Sequence, residues 1–277
     1  MENFTIDSPK VSVIMGIYNC STTLAESIDS ILAQTYKNWE LILCDDNSTD
    51  DTYRIAREYA EKYNNIILLR NEKNMGLAAT LNRCLEYVSG KYVARMDGDD
   101  ISLPERFQKQ VAFLESNPEY SVVGTGMISF DEKGDIGIKL GIPEPKPTDL
   151  AKNNPFMHAT IMMRTEVYKA LNGYRVTSYT RRTEDIDLWF RFFAAGFKGY
   201  NMQEALYKVR EDRTAYKRRK FKYYLDAARL LFEGIRLLNL PARYYLFVLK
   251  PILSGLTPNF LLKKYHEFRV KKSKMVL

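Results

Sequence analysis

Histidine, cysteine and tryptophan are scarce in this chain of 277 residues, at two, three and two copies. Two histidines, His158 and His266, cannot build a histidine-rich zinc site, and only His158 is placed to serve as a catalytic histidine. Cys20, Cys44 and Cys84 are too few and too scattered for a disulfide framework and read as buried thiols. No signal peptide opens the chain, so a reducing cytoplasm is the expected compartment. Also missing are a Walker A loop, a serine nucleophile elbow, zinc-ligand spacing, EF-hand spacing and any internal repeat. A metal here would be held by carboxylates, which favours Mg²⁺ or Mn²⁺.

What is present is ordinary globular material: 45% hydrophobic and 27% charged residues, which exclude disorder and fibrous repeats. The length suits one large α/β domain, or two subdomains with an appendage. The net charge of +7 is unevenly spread. Residues 205–277 carry 18 basic and 5 acidic groups, a balance of +13, which leaves −6 on the rest. A mildly acidic body with a basic tail points to an anionic membrane, nucleic acid or simple solvation as the tail's counterpart.

Short apolar runs at Val11–Met15, Glu40–Cys44, Ile66–Arg70 and Tyr92–Met96 read as buried parallel strands. Helical patterns at Ser21–Gln34, Ser48–Tyr63 and Leu77–Val88 separate them, with Ser21 and Thr22 as candidate N-caps. Such alternation predicts a Rossmann-like, doubly wound, mostly parallel sheet. After Asp100 the rhythm changes: a helix over Pro104–Asn117, a strand over Ser121–Phe130, a turn at Asp131–Gly134, a strand over His158–Arg164 and a helix over Thr183–Gly196. The last places Ile186, Trp189, Phe190 and Phe193 on one face. Gly124-Thr-Gly126 lacks the third glycine of a dinucleotide fingerprint and reads as strand and turn. Boundaries near residues 103 and 210 divide the chain into segments 1–103, 104–210 and 211–277.

Ligands of open parallel sheets bind at the carboxyl ends of strands. There the chain places Tyr18-Asn19, Asp45-Asp46-Asn47 and Asp97-Gly98-Asp99-Asp100. Tyr18 offers a ring for stacking a base, and Asp45 and Asp46 can accept from a base N–H or a ribose hydroxyl. Capping of the next helix explains Asp46-Asn47-Ser48 equally well. Three carboxylates within four residues repel one another unless a cation compensates. Gly98 lets the chain turn tightly, so that Asp97 and Asp99 can converge on one hard cation; Asp100 could instead cap a helix. Glu184, Asp185 and Asp187 open a helix, where they either complement its dipole or supply a general base. His158 reads as a packed or capping residue ahead of a ligand.

In order, VSVIMGIYN (11–19), CDDNSTD (44–50), NMGLAATLN (74–82), ARMDGDDISLPERFQKQ (94–110) and TEDIDLWFR (183–191) resemble family-2 glycosyltransferases of the GT-A fold. The likeness is to bacterial enzymes of capsular, exopolysaccharide or O-antigen assembly, and it covers about residues 9–215. It implies inverting transfer of a hexosyl or N-acetylhexosaminyl unit from a nucleotide-diphosphate donor, usually UDP-linked. On that resemblance Tyr18 stacks on the base and Asp46 binds its N–H, while Arg70, Asn74 and Asn82 lie near the nucleotide. Asp97 and Asp99 form the DxD motif for Mn²⁺ or Mg²⁺, with Asp97 also near the nucleotide. Asp185 is the base, and Glu184 and His158 are candidate donor or acceptor contacts. The family often has proline where Gly16 stands.

Beyond residue 210 the likeness fades. Arg243, Lys250, Pro251 and Pro258 interrupt the apolar stretch from Leu240, which argues against a spanning helix. Tyr244, Tyr245, Phe247, Phe260 and Leu261 among basic residues suit a peripheral element on the inner face of the cytoplasmic membrane, near a polyprenyl-diphosphate-linked acceptor. A packed helix pair with a solvated basic face is the other reading. Two further function classes compete. A nucleotidyltransferase would need a glycine-rich basic loop after the first strand, which Gly16-Ile-Tyr-Asn does not supply. A basic nucleic-acid module finds no motif in the tail.

Overall fold

The structure, a computed structural model, describes residues 8–211 and 220–257. His266, Pro258, Phe260, Leu261 and most of the basic run after Arg210 lie outside the described residues.

The β-branched run forms β1 (Val11–Ile17), whose alternate side chains serve opposite faces. Val11, Val13, Met15 and Ile17 join one core and Ile14 the other. Then follow α1 (Leu24–Leu32), β2 (Trp39–Asp45), α2 (Thr52–Lys62), β3 (Ile66–Arg70), α3 (Leu77–Leu85) and β4 (Tyr92–Arg95). All three pairings among these four strands are parallel. Side chains of α1 and α2 cover one face and those of α3 the other, as a doubly wound sheet requires.

The second half comprises β5 (Ile101–Ser102), α4 (Arg106–Ser116), β6 (Val122–Asp131), β7 (Gly134–Lys139), α5 (Pro147–Leu150), a 3-10 turn (His158–Thr160), β8 (Met162–Arg164), α6 (Thr165–Ala170), α7 (Glu184–Ala194) and β9 (Gly199–Arg210). From residue 220 onward come α8 (Phe221–Leu237), a 3-10 segment (Ala242–Val248) and α9 (Leu249–Leu256). One sheet runs β3-β2-β1-β4-β8-β6-β9-β5, with β7 paired to β6. It crosses residue 103 without a break. Pairing turns antiparallel at β4–β8 and β8–β6, and parallel again at β6–β9.

Several boundaries differ from the pattern. Ser21 and Thr22 cap nothing: α1 begins after a turn in which Thr23 and Leu24 donate to the Cys20 carbonyl. The helix expected from Ser48 starts at Thr52, because the Ser48 hydroxyl accepts from the Asn19 amide. The strand expected from His158 starts at Met162, since the Thr160 amide and hydroxyl both donate to the Met157 carbonyl and close a tight turn. Gly98 has no left-handed backbone; what it offers is a tight fit, since a Cβ there would lie 3.0 Å from Cys20 Sγ.

On α7, Leu188, Trp189, Phe190, Phe192 and Phe193 are all buried. α8 docks on this helix through Gly234, where an added Cβ would sit 2.4 Å from the Phe190 ring. Tyr244 is buried against the same core, and Tyr245 and Phe247 pack on it.

Candidate active site

The carboxyl ends of β1, β2 and β4 are laced into one floor. The Asp46 amide donates to Ile17 O, Thr49 N to Asn19 Oδ1, and the Thr23 hydroxyl to Gly98 O at 2.9 Å. The Ser27 hydroxyl donates to Asp100 O at 2.7 Å. Tyr18 stands about half exposed at this edge.

Asp97, Asp99 and Asp100 bring carboxylate oxygens within 4.8 Å of one another. Each has a different setting. Asp97 ion-pairs with the guanidinium of Arg95, itself only 5% exposed at the end of β4. Asp99 is exposed; desolvation in the cleft and the charge of Asp97 raise its pKa. Asp100 is buried and caps no helix, because α4 starts beyond Glu105. It accepts from Arg210 N at 2.9 Å, and burial with two anionic neighbours pushes its pKa up to about 8. β9 fastens the loop twice more: Tyr207 Oη accepts from Asp97 N at 3.1 Å, and Arg210 Nε donates to Asp99 O at 3.0 Å. Oxygen-only ligands gathered so closely, with one carboxylate exposed, fit a hard divalent cation.

Asp185 lies in the first turn of α7, half-buried, and accepts from Asn154 Nδ2 at 2.7 Å. Burial raises its pKa; Asn154, the Ile186 amide and the charge of Arg95 oppose the rise. Glu184 is raised by burial and by Asp185. Asp187, two residues on, answers to structure: it ion-pairs with Arg191 at 2.7 Å and Arg175 at 3.0 Å. Arg191 also donates to the carbonyls of Leu171 and Gly173. His158 bonds Tyr174 Oη through Nε2 at 2.8 Å and meets Trp189 edge-on. Burial and Arg95 hold it neutral, well below the usual histidine range. Its Nδ1 is buried with no hydrogen-bond partner among the described residues.

The remaining candidates spread along the neighbouring loop. Asp46 does not cap α2; its carboxylate accepts from Asn71 Nδ2, Met75 N and Gly76 N at 2.7–2.8 Å and so shapes the loop before α3. Arg70 stacks on Tyr53 at 4.2 Å and reaches Asp45 at 3.2 Å. Together with Asn71, Glu72, Lys73, Asn82, Arg83 and Glu86 it lines a cleft of about 700 Å³ at the β3 side of the sheet, to which the acidic triad contributes no wall. Asn74 is exposed at the loop's tip. Asn82 is committed elsewhere, since its amide both donates to and accepts from the Tyr174 backbone.

Arg95, Asn154, Tyr207 and Arg210 escape a reading of the sequence. Only Arg95 leaves a trace, as a lone charge in an apolar strand, a residue type seldom fully buried without a partner.

A doubly wound sheet with an acidic triad at the end of β4 and a carboxylate opening α7 is the arrangement expected of a GT-A glycosyltransferase. The chain belongs to glycosyl transferase family 2, whose sequence pattern matches residues 12–183. It is 56% identical over 267 residues to a Bacillus subtilis (strain 168) protein named as glycosyltransferase EpsE, covering 96% of each chain. It is 30% identical over 203 residues to the Escherichia coli UDP-Glc:alpha-D-GlcNAc-diphosphoundecaprenol beta-1,3-glucosyltransferase WfaP, covering 72% of this chain and 77% of that one. Among solved structures, Staphylococcus aureus TarS 1–349 with UDP-GlcNAc superposes at a TM-score of 0.68 and 20% identity, over 89% of this chain and 72% of that one. That likeness shows the fold.

Proposed function

We propose that this enzyme transfers a hexosyl or N-acetylhexosaminyl unit, with inversion, from a UDP-sugar to a lipid-linked glycan during surface-polysaccharide assembly. The observation that carries the reading is the acidic triad at the end of β4, with the Asp185 carboxylate of α7 under the charge of Arg95, the residue that ion-pairs with Asp97. The acceptor and donor classes rest on the relatives' named substrates.

In this reading Tyr18 stacks on the base, and Arg70, Lys73 and Arg83 offer positive charge beside the nucleotide. Asp46 shapes that loop from beneath. A divalent cation, Mn²⁺ or Mg²⁺, held by Asp99 and Asp97, supplies counter-charge for the diphosphate when bound. Asp185 accepts the proton of an acceptor hydroxyl. The freed oxygen attacks the anomeric carbon from the opposite face, and the bond to the diphosphate breaks with its electron pair leaving on UDP. Asn154 orients the base, and Glu184 flanks the acceptor.

Peripheral seating on an anionic leaflet belongs to the same proposal. Among the described residues no helix is long and apolar enough to cross a membrane. Leu225, Phe232, Leu246, Leu249, Leu253 and Leu256 are exposed on the C-terminal elements, among Arg229, Arg236, Arg243 and Lys250. Tyr244, Tyr245 and Phe247, expected on the membrane side, face the body instead.

A panel of UDP- and GDP-sugars, each with Mn²⁺, Mg²⁺ or EDTA, tests the reading through thermal stabilisation and donor hydrolysis. One UDP-sugar should stabilise strongly and only with metal. Stabilisation by none of them overturns it.

A further inference from the structure

Arg95 is a buried cation with an unusual neighbourhood. It closes β4, pairs in register with Ile14 of β1, and donates its backbone amide to Ile161 O at 3.1 Å. Its guanidinium meets Asp97 on one side, while its buried Nε has no protein hydrogen-bond partner among the described residues. A guanidinium buried this deeply costs several kilocalories unless anions surround it. The anions are there: Asp97 in contact, and Asp99, Glu184 and Asp185 close enough for its charge to favour their ionised forms. Behind it stands a second buried guanidinium, Arg106, which donates to Arg95 O at 2.9 Å and packs on the ring of Tyr207. Tyr207 in turn accepts from the Asp97 amide. The backbone of Asp97 is therefore held from β9 and its side chain from β4.

That double hold divides the carboxylates by task. The closest contact of the pair is from Arg95 Nη1 to Asp97 Oδ2, which assigns Oδ1 to a cation. Asp100 is taken by Arg210 N, and Asp99 is the exposed member.

We infer that Arg95 is a positioning residue for the metal site, clamping Asp97 so that its free oxygen joins Asp99 on one divalent cation. The inference rests on the metal-dependent reading above and adds an internal cation, contributed by the strand itself, that makes the site competent.

The test is Mn²⁺ binding in the presence of UDP, followed by calorimetry and by the electron-spin signal of free Mn²⁺, on the full chain. Arg95→Gln keeps an N–H donor but removes the charge. It should weaken Mn²⁺ binding about 10- to 100-fold, the usual effect of losing a group that orients a metal ligand. Arg95→Lys should recover part of the loss, and Arg95→Gln should add little to Asp97→Asn. In turnover assays the metal concentration for half-maximal rate should rise more than kcat falls. Wild-type Mn²⁺ affinity in a folded Arg95→Gln protein overturns the inference, as does an equal loss with and without Asp97. If the Arg95 variants do not fold, the reciprocal pair decides: Asp97→Asn should lower Tm well below Asp99→Asn, because only the former strips Arg95 of its anion, and equal values overturn it. Asp99→Ala separates the two readings. Unchanged Mn²⁺ affinity there sinks the metal assignment itself, whereas loss there with none in Arg95→Gln sinks only the role of Arg95.

Discussion

A general base must be ionised where the enzyme works, and Asp185 sits where ionisation is opposed by burial. Its pKa lies above the ordinary 3.8 of aspartate, so the carboxylate form of this proposed base is lost as pH falls through that raised value. The acid limb of kcat should therefore lie above the ordinary aspartate value. Asp185→Asn should erase that limb and lower transfer roughly 10²- to 10⁴-fold with donor affinity nearly intact. Glu184 and Arg95 share the surroundings, so UDP binding measured over the same pH range separates donor effects from proton acceptance. Turnover within a few-fold of wild type would move the base to Glu184. At the triad, Asp99→Ala should make UDP affinity indifferent to Mn²⁺, and calorimetry with metal and with EDTA checks it; a surviving difference would contradict the assignment. The triad was legible in the sequence because crowded carboxylates are improbable without a cation. Its fasteners were not. Tyr207 and Arg210 reach the loop from 110 residues away, a separation that no local pattern encodes.

Helices and strands divide along the same line. The parallel half was readable because β1 and β2 are buried on both faces and appear as mostly apolar runs, broken only by the polar side chains of Ser12, Glu40 and Asp45. β5, β7 and β9 were not: β5 has two residues, β7 is largely exposed, and β9 mixes Asn201, Gln203, Glu204 and Lys208 with its buried positions. What makes them strands is the partner, above all the long β6–β9 ladder. Helix starts were misplaced wherever a hydroxyl served another loop: Thr23 bonds Gly98 O, and Ser48 accepts from Asn19. Between helices, Gly234 lets α8 settle on Phe190 of α7. Gly234→Ala should destabilise by about 1–3 kcal/mol through overpacking, seen as a lower Tm, while UDP affinity of the protein that remains folded is unchanged. A neutral effect on Tm would mean that α8 can shift outward at no cost.

At the scale of the molecule the charge is divided, −6 on the first 204 residues and +13 on the last 73. Basic side chains near an anionic leaflet contribute about 1 kcal/mol each and are screened by salt. Inserted Leu246, Leu249, Leu253 and Leu256 would add a part that salt does not screen. Sedimentation with anionic vesicles should weaken without vanishing at high salt, and replacing those four leucines by serine should remove the residue. Indifference of the intact protein to anionic vesicles would leave the C-terminal elements as packing alone, the role already evident for Tyr244. The fastening of the acidic loop by β9 carries a consequence in time. Its bonds span 110 residues, so the loop can be locked only after the chain through Arg210 has been made and the β6–β9 ladder has closed. Contacts so distant in sequence form late, because loop closure precedes their reward. On dilution from denaturant, far-UV ellipticity should return first and UDP binding should trail it. In the cell, a nascent chain halted before β9 would carry a sheet already wound and a catalytic floor still unlatched.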